Sequence, residues 1–280
     1  MSTNLLPNLS ADNTGPAVCL ENVSLAYGEK TVLRNVTFEV DYGETCVILG
    51  ATGAGKSLLL KLLVGLIKPD SGNIFVEGRE ISRMEEKELY PVRQRIGMLF
   101  QEGALFDSLA VFENVAYRIW EEKNAAPEEA ENRVREILKF VEMEEAFDKF
   151  PAELSGGMRR RVALARAMAD NPCIMLYDSP TGGLDPVTAY TIVSLIVKLR
   201  DVNRVCSLLV THNLQDGLVM ARYVYDRSRG RLVPVQEKDG GREPPNRARF
   251  LVLHEGSLYF WGSEKELVTN PDPYLRRLLS

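Results

Sequence analysis

The run Gly50-Ala51-Thr52-Gly53-Ala54-Gly55-Lys56-Ser57 brings the parts of a phosphate cradle together in one unbroken stretch. Its glycines let backbone N–H groups close around phosphate oxygens at a helix N-terminus. Lys56 supplies charge to the terminal phosphates, and the Ser57 hydroxyl is of the kind that ligates Mg²⁺. A second chemical point is Cys173-Ile174-Met175-Leu176-Tyr177-Asp178, an apolar strand ending in a carboxylate that suits Mg²⁺ or its water. A third is Leu154-Ser155-Gly156-Gly157-Met158-Arg159-Arg160-Arg161, where Ser155 and the Gly156 and Gly157 amides open a helix. They form a second phosphate site that the chain's own first cradle cannot easily use, so it is expected to serve a partner. His212, one of two histidines, follows an apolar strand, where a histidine is read either as a satisfied structural residue or as a hydrogen-bonding ring for a phosphate.

These residues need a scaffold that brings distant segments to one edge. Cys46 to Leu49, Ile174 to Tyr177 and Ser207 to Val210 are short continuous apolar runs, the pattern of strands covered on both faces by helices. They end near Gly50, Asp178 and His212, and in an open α/β sheet ligands bind beyond the carboxyl ends of the strands. Before them, Val18, Leu20, Val23, Leu25, Val36, Phe38 and Val40 alternate with polar residues and predict a small antiparallel layer. Between about residues 105 and 166 the period turns helical, with Ala130, Val134, Ile137, Leu138 and Val141 on one face and a start at Pro127. This predicts an inserted helical subdomain.

The remaining segments frame that core. Residues 1–16 read as a disordered lead-in rather than a signal peptide, and residues 17–262 as the main domain. A mobile insertion is expected at 226–249, where Gly240-Gly241 and Pro244-Pro245 lie among charges. A hairpin turning at Glu255-Gly256 follows, with His254 exposed beside the turn, and residues 263–280 form a C-terminal helix and tail. Net charge is -5, so the chain lacks the basic field that nucleic acid requires. The longest apolar stretches are too short to span a bilayer, which assigns membrane association to another subunit and the chain itself to the cytoplasm. Cys19, Cys46, Cys173 and Cys206 have no metal-like spacing and read as reduced core residues.

With Leu154-Ser155-Gly156-Gly157 the chain resembles the ATP-binding subunits of ABC transporters, whose signature it matches with Met158 in place of Gln. The resemblance runs from about Val18 to Ser280. It implies a P-loop NTPase (RecA-like) core of ABC type, with ATP and Mg²⁺ as cofactors and ATP hydrolysis as the reaction. It places Tyr27 against adenine, residues 50–57 on the phosphates, and Ser57, Gln101 and Asp178 at the metal. Gln101 falls at the Q-loop, Asp185 at the D-loop and His212 at the switch histidine; Gln101, Asp178 and His212 are the catalytic set. Two chains pack head to tail in this family, which implies a homodimer with Ser155, Gly156 and Gly157 acting in trans. It also implies a peripheral position on the cytoplasmic face of the inner membrane, bound to an integral permease.

One position departs from that family. After Asp178 a Glu normally serves as general base, and here the residue is Ser179. Loss of a positioned base typically costs about 10²–10⁴ in rate. The expectation is slow hydrolysis, with Gln101, His212 and Mg²⁺ positioning the water and Glu102 or Asp185 assisting; a regulatory ATP-binding subunit is the alternative. The stretches Phe100-Gln101-Glu102-Gly103-Ala104-Leu105-Phe106 and Val111-Phe112-Glu113-Asn114-Val115-Ala116-Tyr117 are similar to the ATPase subunits of Mla/Mce-type lipid transporters, departing at Arg118, where proline is usual. That similarity implies phospholipid or related lipid transport with a permease of the MlaE class and a periplasmic Mce-domain protein. Other ABC transporters remain rival assignments, as does a non-transport ABC ATPase. Ala104, Leu105, Phe106, Val111, Phe112 and Tyr117 are expected to form an apolar docking surface for the permease.

Overall fold

A computed structural model describes residues 15–123, 127–235 and 248–279; residues 1–14 of the lead-in and 236–247 of the expected insertion lie outside the described residues. The chain begins with two antiparallel strands, β1 (Val18–Tyr27) and β2 (Lys30–Val40). Their inward residues change phase between Leu20 and Val23 because Asn22 takes a left-handed φ of 51° and bulges the strand. Strand β3 (Thr45–Gly50) is buried throughout and feeds through the glycine-rich loop into α1 (Lys56–Leu63). That helix is shorter than its apolar run to Leu66, since Gly65 turns left-handed at φ 66°.

Strands β4 (Ser71–Val76) and β5 (Arg79–Glu80) complete the antiparallel layer, and α2 (Glu86–Arg93) leads to β6 (Ile96–Leu99). Three helices follow: α3 (Val111–Lys123), α4 (Pro127–Phe140) and α5 (Gly156–Met168). The five apolar residues that predicted the face of α4 are all buried. The chain then alternates strand and helix through β7 (Ile174–Asp178), α6 (Pro186–Asn203), β8 (Cys206–Val210) and α7 (Leu214–Arg222).

Next comes a hairpin, β9 (Tyr223–Asp226) with β10 (Arg231–Pro234). The described part of the segment expected to be a mobile insertion is thus ordered ladder, which the Gly and Pro clusters farther along obscured. Strands β11 (Ala248–His254) and β12 (Ser257–Ser263) turn at Glu255-Gly256, and the short helices α8 (Glu264–Thr269) and α9 (Pro273–Leu279) close the chain. His254 is not simply exposed: its ring packs 3.9 Å from Tyr274 and 5.3 Å from Tyr259.

The main sheet has the order β5-β4-β1-β2-β12-β11-β3-β8-β7-β6, with β11, β3, β8, β7 and β6 parallel. Ile48 and Asp178 both pair with Val210, so Gly50, Asp178 and Thr211 leave the sheet side by side. Alternation along β3 divides the core. Val47 and Leu49 pack with the helical insertion and α6, while Cys46 and Ile48 pack with α1 and the antiparallel layer. Among the four cysteines, all of them free, Cys19 is only partly buried.

Candidate functional site

The glycine-rich loop follows β3 because its backbone must turn where side chains cannot. A Cβ on Gly50 would lie 2.5 Å from the Leu253 carbonyl oxygen, and one on Gly55 would lie 2.8 Å from Leu33 Cδ2. The second contact sets β2, and with it the β1–β2 hairpin, against the start of α1. Tyr27 ends β1 on that hairpin, opposite Lys30, with 54% of its surface exposed. Lys56 is only 5% exposed. Its ammonium donates to the carbonyl oxygens of Gly50 at 2.8 Å and Ala51 at 2.9 Å, arching over the loop. Burial lowers its pKa from the ordinary value, and nearby Asp178 opposes that shift.

Ser57 and Asp178, 121 residues apart in sequence, meet where the Ser57 hydroxyl donates to the carboxylate at 3.1 Å. This hydroxyl and carboxylate are hard oxygen donors facing one space, a set suited to Mg²⁺, which takes few protein ligands and completes its shell from phosphate and water. His212 is exposed just past β8. Burial of part of its ring and the Lys56 charge lower its pKa, while Asp178 raises it, so the neutral ring dominates at neutral pH. Gln101 follows β6, and a Cβ on Gly182 would stand 3.7 Å from its Cγ and Nε2. Gln101 therefore runs along the turn after β7, closed by the Gly182 N–H donating to the Ser179 carbonyl at 3.0 Å.

Ser179 occupies the head of that turn with a left-handed φ of 48°, its N–H donating to the Val210 carbonyl at 2.8 Å. Beside it opens a cavity of about 590 Å³ lined by Ser179, Thr181, Tyr190, Thr211, His212 and Asp216. Asp216 escaped the sequence reading. It is buried, accepting from the Thr181 hydroxyl at 2.6 Å, the Thr211 hydroxyl at 2.7 Å and Asn213 Nδ2 at 3.2 Å. Burial raises its pKa, against the pull of both threonine hydroxyls. Its carboxylate ties the loop bearing His212 to the turn bearing Ser179. In sequence it looks like an acidic residue in the first turn of α7, where the helix dipole alone would explain it.

The two carboxylates expected to assist at Ser179 are engaged elsewhere. Asp185 caps α6, accepting from Val187 N and Thr188 N at 3.1 Å, and the Thr188 side chain is the main cause of its lowered pKa. Glu102 lines a different cavity with Arg159, Arg160 and Leu184. Ser155 caps α5 through Met158 N at 3.2 Å, leaving Ser155 and Gly156 exposed. A Cβ on Gly157 would meet Thr188 Cγ2 at 2.3 Å, so α5 can start against α6 only with glycine there. The signature segment thus packs on Thr188 and Leu184, the residues flanking the Asp185 cap.

The expected docking surface divides. Val111 is fully buried, and Phe112 stacks on Phe147 at 4.8 Å, so both turn into the helical core. Leu105 is half-buried against the same core. Phe106 and Tyr117 stay exposed, 5.2 Å apart, in a groove of about 480 Å³ that Leu66, Phe100, Ala104 and Arg166 also line. Arg118, the departure noted above, lines this groove and pairs with Asp170 at 2.7 Å.

The family model described as ABC transporter matches residues 33–182, from the strand beside the glycine-rich loop to the turn after Asp178. The chain belongs to the ABC transporter family. It is an ATP-binding, ATP-hydrolysing cassette of that family. It is 39% identical over 210 residues to the Haemophilus influenzae "Intermembrane phospholipid transport system ATP-binding protein MlaF", covering 74% of this chain and 78% of the relative. It is 34% identical over 266 residues to a "Probable ribonucleotide transport ATP-binding protein mkl" of Mycobacterium leprae, covering 95% of this chain and 69% of that one. Among solved structures it is similar to the ATP-binding cassette MJ0796 in a dimeric post-hydrolysis state with ADP and phosphate. That match has a TM-score of 0.71 and 31% identity, covering 88% of this chain and 98% of the other. Among the described residues no helix is long and apolar enough to cross a membrane.

Proposed function

We propose that this ATPase powers movement of phospholipid or a related lipid across a bacterial cell envelope, as a homodimer on the cytoplasmic face of the inner membrane. Its partners on this reading are a permease of the MlaE class and a periplasmic Mce-domain protein. The carrying observation is the 39% identity to an intermembrane phospholipid transport ATPase over most of both chains. The exposed Phe106–Tyr117 groove supports it as the seat for a permease segment. The mkl relative, named for ribonucleotide transport, favours a second cargo class on the same machinery.

Within the site, the amides of residues 50–57 and Lys56 hold the phosphates, and Tyr27 stacks on the base. Ser57 and Asp178 hold Mg²⁺, with Gln101 completing its surroundings; when bound, the ion neutralises charge that builds on the transferred phosphoryl group. Gln101 and the neutral His212 ring orient the attacking water. Ser155, Gly156, Gly157 and Asp185 face the partner's nucleotide. With Ser179 next to Asp178, the position that carries the family's general base has no carboxylate, so catalysis rests on positioning and charge, and turnover is slow.

The test is purification from native membranes in mild detergent, followed by ATP-dependent transfer of fluorescent phospholipid between vesicles. Transfer that stops in Lys56→Ala is the expected result. Lipid-independent complexes that move nucleotides or amino acids instead would reassign the cargo.

A further inference from the structure

Arg160 lies one turn into α5 and is only 7% exposed. Its fork reaches two separate segments: Nη1 donates to the Phe100 carbonyl at 3.0 Å and Nη2 to the Gly182 carbonyl at 3.2 Å. Phe100 faces the groove and immediately precedes Gln101. Gly182 closes the turn that begins at Ser179 and leads to Asp185. Farther along α5, Arg166 donates to the Gly103 carbonyl at 3.0 Å, and a Cβ on Gly103 would sit 3.1 Å from Ala163. The 100–103 turn is therefore laid along one face of α5 with a guanidinium on the carbonyl at each end. Arg160 alone also crosses to the turn after β7.

We infer that Arg160 is a positioning residue for ATP hydrolysis, clamping the Gln101 turn to the Ser179–Gly182 turn so that Gln101 keeps a fixed aim. A planar guanidinium can satisfy two carbonyls at once from a fixed fork, whereas an ammonium on a flexible stem cannot hold both with the same spacing. Both bonds are donated by one buried cation, and such charge-assisted hydrogen bonds are stronger than neutral ones. The clamp matters more here than in a site with a carboxylate at position 179, because orientation of the water carries what a general base does not supply. Sequence did not single it out: Arg160 is the middle of three consecutive arginines, and which of them turns inward is decided by how α5 packs.

The experiment is steady-state phosphate release against MgATP concentration for the full chain with its membrane partner. It compares wild type, Arg160→Lys, Arg160→Met and Gln101→Ala, with a thermal midpoint and fluorescent-ATP binding for each. The expected result is kcat lowered about tenfold or more in Arg160→Met, partly rescued in Arg160→Lys, with KM and nucleotide affinity within about twofold of wild type. Wild-type kcat in Arg160→Met overturns the inference. So does a fall in kcat, affinity and thermal midpoint together, which marks a purely structural role. Should Arg160→Met fail to fold, Arg160→Lys decides by the same kcat-against-KM criterion. The inference rests on the role proposed for Gln101, and the two can fail separately. Unchanged kcat in Gln101→Ala defeats that role and the clamp with it; loss in Gln101→Ala with normal Arg160 variants defeats the clamp alone.

Discussion

The two ends of this site are built in opposite ways. At the phosphate end, one contiguous loop supplies the amides, the ammonium and the hydroxyl, and Lys56 is already held over it by two carbonyls of the same loop. At the far end, Gln101, Ser179, and His212 with Asp216 come from three separate segments brought together because strands β6, β7 and β8 lie side by side. The first end is mainly backbone geometry, constrained most at Gly50 and Gly55, where a side chain would collide with Leu253 and Leu33. The second depends on individual side chains, and one of them, Ser179, departs from the family pattern. Gripping nucleotide and turning it over can therefore vary independently in this fold.

The sharpest way to break that comparison is to restore the absent carboxylate. Ser179→Glu should raise phosphate release by about 10²–10⁴ while nucleotide affinity stays near wild type. Unchanged turnover would mean that another group already accepts the proton and that the far end is not deficient. At the opposite end, Lys56→Ala should lower turnover by about 10²–10³ and weaken nucleotide binding with it, measured by phosphate release and equilibrium dialysis. If binding survived intact, the grip would be carried by amides alone.

A smaller effect is expected at His212. Its lowered pKa keeps the ring neutral to a more acid pH than an ordinary histidine, so the acid limb of kcat/KM should fall below about pH 6.5. His212→Ala should erase that limb and lower turnover by about 10². The smallest concerns Asp216. Its folded-state pKa is raised by burial, so between the ordinary carboxyl value and that raised value the folded protein holds more protons than the unfolded chain. Stability should accordingly decline as pH rises through this window. Asp216→Asn, which keeps an acceptor for the threonine hydroxyls and removes the titrating group, should flatten that decline in urea melts at either side of the window. A slope unchanged in the variant would assign the pH dependence to other groups.

Residue order alone was enough to locate the glycine-rich loop, the strand ending in Asp178, the helix beginning at Pro127 and the α/β class. A phosphate cradle needs consecutive N–H groups, and an amphipathic helix needs a period of a few residues, so both are written within one local window. The pairing of Ser57 with Asp178, the clasp of Asp216 on Thr181 and Thr211, and the reach of Arg160 to Phe100 and Gly182 are not local. Nor is the inward turn of Val111 and Phe112, which have the same apolar character as the exposed Phe106. Strand register decides the first group, because one step of slip would send Asp178 to the other face of the sheet. Packing of α3 on its neighbours decides the last, since hydrophobicity says that a side chain prefers burial but not which partner provides it.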